Sequence, residues 1–215
     1  MRDVIVGELR DAGHEVTISD LHAMRFDPVL SERDFATRAN PDHLVYALEQ
    51  RHAHASGELA SDIRGEVDKV LAADMLGFTF PLFWFGVPAI MKGWIERVFL
   101  SGPFYGGKRL YGKGGLVGKR AFAAFSLGGR EHMFGAEAIH GELVDGMMRN
   151  FFQGTLGYVG LTVHRPFVAY HVPYVQQPRR EEILRDLRAY VRALDRQAVL
   201  PVPDLDRFDE TLRPR

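Results

Sequence analysis

A doubly wound α/β sheet is the fold this sequence predicts, and three observations carry the prediction. Two short runs, Met75–Phe80 and Ala121–Leu127, are nearly all apolar, as expected of strands buried on both faces of a parallel sheet. Segments with apolar residues at helical spacing lie before, between and after such runs, so strand and helix alternate along the chain. Each run ends in a residue that breaks regular structure, Pro81 in the first case and Gly128 with Gly129 in the second.

The elements follow in order. Residues 2–12 place Val4, Ile5 and Leu9 on one helical face, and Gly13 stands where a helix C-terminal glycine belongs. In residues 14–19 Val16 and Ile18 alternate with polar neighbours, which predicts a strand. From Asp20 to Asp42 the chain is polar and broken by Pro28 and Pro41, a long loop with a short helix behind the Ser31-x-x-Asp34 capping pattern. Ser61 and Asp62 open a helix carrying Ile63, Val67, Val70 and Leu71, which delivers the chain to the Met75 run. Pro88 opens the next helix, with Ile90, Trp94, Ile95 and Val98 on its buried side. A Gly/Lys/Tyr-rich loop spans residues 101–119 and reads as a mobile flap carrying Phe104, Tyr105 and Tyr111. After the Ala121 strand come helical segments to about residue 157, a strand over 161–169 and a last helix over 179–196. One domain over residues 1–197 and an extended tail over 198–215 is the organisation expected.

Composition narrows the chemistry. With 27 Lys+Arg against 28 Asp+Glu there is no polybasic face, which argues against nucleic acid or an anionic membrane as the main partner. The absence of cysteine excludes disulfides, thiolate nucleophiles and thiolate metal sites. No run is long and apolar enough to insert in a membrane, and a cytoplasmic location is expected. The pair His52-x-His54 has no reinforcing ligand, so no metal is expected. The glycine-rich stretch before Lys119 fails as a phosphate loop: Lys113 stands where the earlier glycine is needed and Arg120 replaces the hydroxyl residue.

Ligands of open parallel sheets lie beyond the carboxyl ends of the strands, which directs attention to two loops. In residues 81–88 large aromatics fill a strand-to-helix loop; they suit either a plug over the core or the edge of a heteroaromatic ligand held by backbone N–H groups. In residues 126–129 two glycines let the backbone approach a flat ligand, although such pairs also simply make turns. His140, beside Gly141, has the proton affinity of a donor or cation near neutral pH, and equally of a structural histidine.

Residues 80–99, FPLFWFGVPAIMKGWIERVF, closely resemble the hallmark segment of the flavodoxin-like NAD(P)H:quinone oxidoreductases, the DT-diaphorase family. Residues 20–28 (DLHAMRFDP), 72–74 (AAD), 127–129 (LGG) and 138–141 (AIHG) resemble the family in the same order, and the likeness runs to about Leu194. It implies a homodimeric flavoprotein carrying FAD, with FMN as the alternative, that takes hydride from NAD(P)H at flavin N5 and passes it to a quinone in ping-pong fashion. By this resemblance Leu82, Phe83, Trp84 and Phe85 line the flavin ring, with Ser126, Leu127, Gly128 and Gly129 on its other side. Phe104 and Tyr105 cap the substrate pocket, from the same or the partner subunit. Arg179 or Arg180 approaches the adenine end, and His140 stabilises the charge that builds on the reduced ring. A regulatory flavoprotein subunit of a potassium efflux system, and an inactive remnant without flavin, are the competing readings.

Two departures from the family pattern stand out. Family members begin with a strand and a phosphate-binding loop ahead of the first helix, whereas Met1 lies within that helix, so the resemblance implies a chain truncated at its N-terminus and a sheet lacking its first strand. Where most close members carry a tyrosine that works with the histidine, this chain has Phe134. Restoring the hydroxyl with Phe134→Tyr is expected to raise the rate of flavin reduction in stopped-flow measurements; an unchanged rate would remove any role for that hydroxyl.

Overall fold

The structure, a computed structural model, describes all 215 residues. Six helices carry the fold: α1 (Arg2–Asp11), α2 (Tyr46–Ser56), α3 (Ser61–Ala72), α4 (Ala89–Val98), α5 (Arg149–Phe151, flanked by π-helical turns Leu143–Met147 and Phe152–Gly157) and α6 (Gln177–Arg192). The strands are β1 (Met75–Pro81), β2 (Arg120–Ser126), β3 (Thr162–Val163) and β4 (Phe167–Ala169). All pairings are parallel. β1 lies along one side of β2, while β3 and β4 share the other side, β3 at its start and β4 at its end. The strand expected over 161–169 is thus interrupted at His164–Pro166, where Pro166 has no N–H to donate to a ladder.

β2 is the centre of the sheet, and its pleat divides the core. Ala121, Ala123 and Phe125 face the larger core with α2, α3, α4 and the α5 region; Phe122 and Ala124 face α1 and α6. Helices therefore cover both faces of β2, as the unbroken apolar run predicts. β1 is different. Phe78 and Phe80 are buried in the larger core, but Gly77 and Thr79 are exposed, so this strand is not covered on both faces. Gly77 is required where it stands, because a Cβ there would lie 2.8 Å from the ring of Phe122.

The strand predicted over residues 14–19 is absent. That stretch forms no ladder with any other segment, and Ile18 is exposed. Alternation gives a strand its faces, but only a neighbouring strand can satisfy its N–H and C=O groups, and none lies beside it. The loop over 101–119 is not a free flap. Arg51 donates to Ser101 Oγ at 2.8 Å, Gly115 N–H to Phe104 O at 2.8 Å and Leu116 N–H to Val159 O at 2.9 Å. The tail is extended and docked: His164 bridges to Val199, and Leu200 joins the larger core.

One buried cation fastens the long loop after Asp20 to the body. Arg97, on α4, is 4% exposed and donates to Asp34 at 2.7 and 3.2 Å, to Asp62 at 2.8 Å and to the Asp27 carbonyl at 2.8 Å. Its guanidinium lies 4.9 Å from the centre of the Phe26 ring, and the Tyr46 hydroxyl donates to Asp34. Burial works against the charge on Arg97, but Asp34 and Asp62 outweigh it and hold the pKa above the ordinary guanidinium value. One helical turn earlier Gly93 lets the loop lie directly on α4: a Cβ there would meet the Pro28 carbonyl at 2.1 Å. The variant Arg97→Met leaves Asp34 buried without its cation and is expected to cost about 3–5 kcal/mol, lowering Tm by on the order of 10 °C. Adding Asp34→Leu is expected to restore part of that loss. Thermal unfolding followed by circular dichroism reads both, and an unchanged Tm for the single variant would show the network to be dispensable.

Candidate active site

The carboxyl ends of β1 and β2 lie side by side, with Pro81 in register with Ser126, so the loops that follow them form the two walls of one cleft. Its two lobes have volumes of about 300 and 240 Å3. Pro81, Leu82 and Phe83 face Ser126, Leu127 and Gly128 in the larger lobe, with Arg180 at the side. Trp84 and Phe85 face Gly129, Phe134 and His140 in the smaller one.

The first wall is an unusual turn. Phe83 and Gly86 exchange backbone hydrogen bonds at 3.1 and 3.0 Å, and the residues between them, Trp84 and Phe85, have φ of 50° and 55°. Positive φ at both central residues is the signature of a type I′ turn, which normally takes asparagine and glycine. Bulky side chains there store strain, of order 1–2 kcal/mol per residue. Trp84 gains no burial in return, being 98% exposed. Strain without packing compensation is the mark of a residue placed for a ligand or a partner.

The donors of this cleft are its backbone. The N–H groups of Trp84, Phe85, Gly128 and Gly129 make no hydrogen bond within the chain. His140 is half-buried; its ring lies 5.4 Å from that of Phe85 and 5.2 Å from that of Phe134, and neither ring nitrogen has a partner. Phe134 lies against Gly129, where a Cβ would come within 2.8 Å of its ring, so this glycine is needed for contact. Behind Phe134, at 6.0 Å between rings, burial and then the charges of Glu131 and Glu142 push the Tyr170 phenol up, which keeps it protonated. The smaller lobe is mostly apolar surface with unpaired backbone donors, the complement of a planar heteroaromatic ring with carbonyl and nitrogen acceptors at its edge. A flavin ring is such a group, and Leu82, Trp84, Phe85, Gly128, Gly129 and His140 are the residues that would hold it.

The cleft thus brings together most of the residues singled out from the sequence. Of the two arginines, Arg180 lines the larger lobe, whereas Arg179 is paired with Glu182 on its own helix at 2.9 Å. Phe104 does not reach the cleft: it is fully buried and packs on Phe99, with ring centres 6.0 Å apart. Tyr105 packs on Tyr158, with the rings tilted by 57°, away from the cleft of its own chain. No group of residues with metal-ligating geometry is found. Sequence reasoning missed Val172 and Pro173, which line the larger lobe from the loop after β4. That loop also follows the carboxyl end of a strand, the same positional signal that identified the other two.

Comparison with known proteins identifies the family of the chain. The family model for the flavodoxin-like fold matches residues 1–194. The chain is 39% identical to NAD(P)H dehydrogenase (quinone) 1 of Cavia porcellus over 185 residues, 86% of this chain and 67% of that protein. It is 35% identical to the ribosyldihydronicotinamide dehydrogenase (quinone) of Homo sapiens over 186 residues, 84% of this chain and 78% of the relative. A crystal structure of a Klebsiella pneumoniae protein assigned as a quinone reductase superposes with a TM-score of 0.93 at 30% identity, covering 100% of this chain and 86% of the other.

The strain at Trp84 gives a stability test. Trp84→Asn, a residue that tolerates positive φ, is expected to raise the Tm of the flavin-free protein by about 2–4 °C, the equivalent of roughly 1 kcal/mol. Trp84→Ala, which relieves no backbone strain, is expected to leave it unchanged. A rise absent from the asparagine variant in differential scanning fluorimetry would mean that the turn is not strained.

Proposed function

Because the chain belongs to the flavodoxin-like NAD(P)H:quinone oxidoreductases, we propose that its cleft binds a flavin and uses it to carry out the two-electron reduction of quinones by NAD(P)H. The observation that carries this reading is the set of four unpaired backbone N–H groups, from Trp84, Phe85, Gly128 and Gly129, lining a single apolar cleft beneath His140. Bound flavin supplies a two-electron relay between a nicotinamide donor and a quinone acceptor.

The protein's share is binding, orientation and charge. The backbone donors fix the ring edge and favour electron density there, because the fold holds them in place before the ligand arrives. Phe85, Phe134 and His140 form one ring cluster, which fixes the imidazole so that its N–H can donate toward a ligand in the smaller lobe. With Phe134 in place of a tyrosine, no hydroxyl from that position shares the task. Arg180 offers a cation at the side of the larger lobe for the phosphate-bearing or adenine end of the cofactor. FAD fits better than FMN in this reading, because the long loop after Asp20 and helix α6 resemble the FAD-using branch of the family.

The reading includes a homodimer. Phe83, Trp84 and Phe85 leave an apolar patch at the mouth of the cleft, with Trp84 98% exposed, and a second copy would cover it. Tyr105, turned away from the cleft of its own chain, would serve a cleft only across such an interface. A cytoplasmic location, where NAD(P)H is supplied, belongs to the same reading; no helix is long and apolar enough to cross a membrane.

The decisive experiment is the visible absorption spectrum of the purified 215-residue protein, before and after anaerobic NADPH, followed by addition of a benzoquinone. The expected result is a yellow protein that bleaches with NADPH and regains its colour with the quinone, and that releases FAD on denaturation. A protein that stays colourless after incubation with FAD would overturn the assignment for this chain.

A further inference from the structure

The geometry points to His171 as a positioning residue that presets the flavin-facing N–H groups of Gly128 and Gly129, a role that rests on the flavin reading of the cleft. His171 lies in the loop after β4, outside the residues that line the cleft. Its Nδ1 is 2.8 Å from the Gly128 carbonyl oxygen. A carbonyl can only accept, so the Nδ1 carries the proton and donates. The backbone N–H of the same residue donates to Gly129 O at 2.9 Å, and that of Val172 donates to Leu127 O at 3.1 Å. Three successive carbonyls, those of Leu127, Gly128 and Gly129, are therefore gathered on one side by residues 171 and 172.

Peptide planarity gives this arrangement its consequence. In a trans peptide the C=O and the N–H of one unit point in opposite directions. Drawing the Leu127 carbonyl toward Val172 turns the Gly128 N–H away from that loop, and drawing the Gly128 carbonyl onto the imidazole does the same for the Gly129 N–H. Both glycines line the cleft, and both N–H groups are unpaired within the chain. The peptide between two glycines is also the one in the segment most free to rotate, since neither neighbour carries a Cβ. Without a hydrogen bond on its oxygen, its donor would sample many directions and would have to be ordered at the moment of binding. His171 fixes it beforehand.

The residue is itself held firmly. His171 has φ of 59°, a left-handed conformation unusual for a side chain of its size, and its ring packs on Tyr174 with centres 5.0 Å apart. Tyr174 in turn lies 3.5 Å from where a Cβ on Gly128 would be, so imidazole, phenol ring and glycine backbone pack in sequence, the two rings tilted by 41°. A strained conformation kept by a residue that touches no ligand is explained by the hydrogen bond it makes.

Two variants and two readouts test the role. Asn at 171 tolerates positive φ and offers an amide N–H near the Nδ1 position; Leu matches the bulk without the donor. In the flavin-free protein, hydrogen exchange at the His171-position and Val172 amides is expected to speed up about 5- to 10-fold in His171→Leu, the equivalent of one ordinary hydrogen bond, and to stay near the native rate in His171→Asn. FAD affinity, from quenching of flavin fluorescence, is expected to weaken by about the same factor in His171→Leu and to be rescued in His171→Asn. Unchanged exchange in the leucine variant overturns the clamp, and faster exchange with unchanged FAD affinity overturns its role in positioning. If the native protein itself binds no FAD, the flavin reading fails instead, and with it the purpose assigned to the clamp. Native binding with equal affinity in all three proteins condemns the clamp alone.

Discussion

The ion network of Arg97 is the constraint on which the cleft depends. Helix α4 begins at Ala89, four residues after Phe85 in the strained turn, so whatever fixes α4 fixes one wall of the site. Burying a guanidinium is costly unless its donors are met, and here two carboxylates and a carbonyl, from the long loop and from α3, accept four hydrogen bonds from it. The same bonds decide where the chain from Phe26 to Asp34 lies, because those residues have almost no regular structure of their own to place them. Gly93 completes the fit by allowing the Pro28 backbone to touch the helix axis side of α4. Loop and helix are thus tied to one another directly after the chain leaves the turn. Trp94 extends the connection to α3, since its indole N–H donates to the buried Glu66 carboxylate at 2.8 Å.

The second wall has a different construction. Its loop follows β2, the most deeply buried strand, and gains no strength from charge. Leu127 N–H donates to Ala169 O at 3.0 Å, continuing the β2–β4 ladder one residue beyond the strand, after which the 171–172 pair takes over the remaining carbonyls. A rigid sheet therefore hands over directly to a preset turn. The two walls meet the needs of a binding site in opposite ways, one by stored strain held by an ion network and the other by hydrogen bonds that remove backbone freedom. In both, the exposed product is the same: N–H groups with no partner inside the protein.

How much of this the sequence revealed depended on whether the signal was local. The apolar runs of β1 and β2 and Pro88 ahead of α4 were readable, because pattern and turn chemistry act over a few residues, whereas Ser61 and Asp62 start α3 without capping it: the N-cap is Ala60, and no side chain bonds the helix end. Residues 14–19 show the limit, since Val16 and Ile18 carry a strand's alternation but no neighbour supplies the ladder. The exposure of Gly77 and Thr79 has the same origin: burial on both faces depends on what packs against a strand, and not on its own composition. Arg97 could not be assigned its partners, because Asp34 and Asp62 lie 63 and 35 residues away.

At the site the divide is sharper still. The cleft's glycines, its aromatics and His140 were legible as residue types in the loops after strands, and the family likeness gave them roles. The turn geometry was not legible, because left-handed φ normally announces itself through asparagine or glycine and here belongs to tryptophan and phenylalanine. Phe104, which the family likeness implied as a cap on the substrate pocket, is instead fully buried in the core, where its ring fills space beside Phe99. A side chain's chemistry says what it could do, while only the packing around it decides whether it is free to do so. For the backbone donors the order is reversed, since every residue carries an N–H and the information lies wholly in which ones the fold leaves unpaired. The chemistry of this cleft is for that reason chiefly a property of its main chain, and its side chains act mostly by holding that main chain in place.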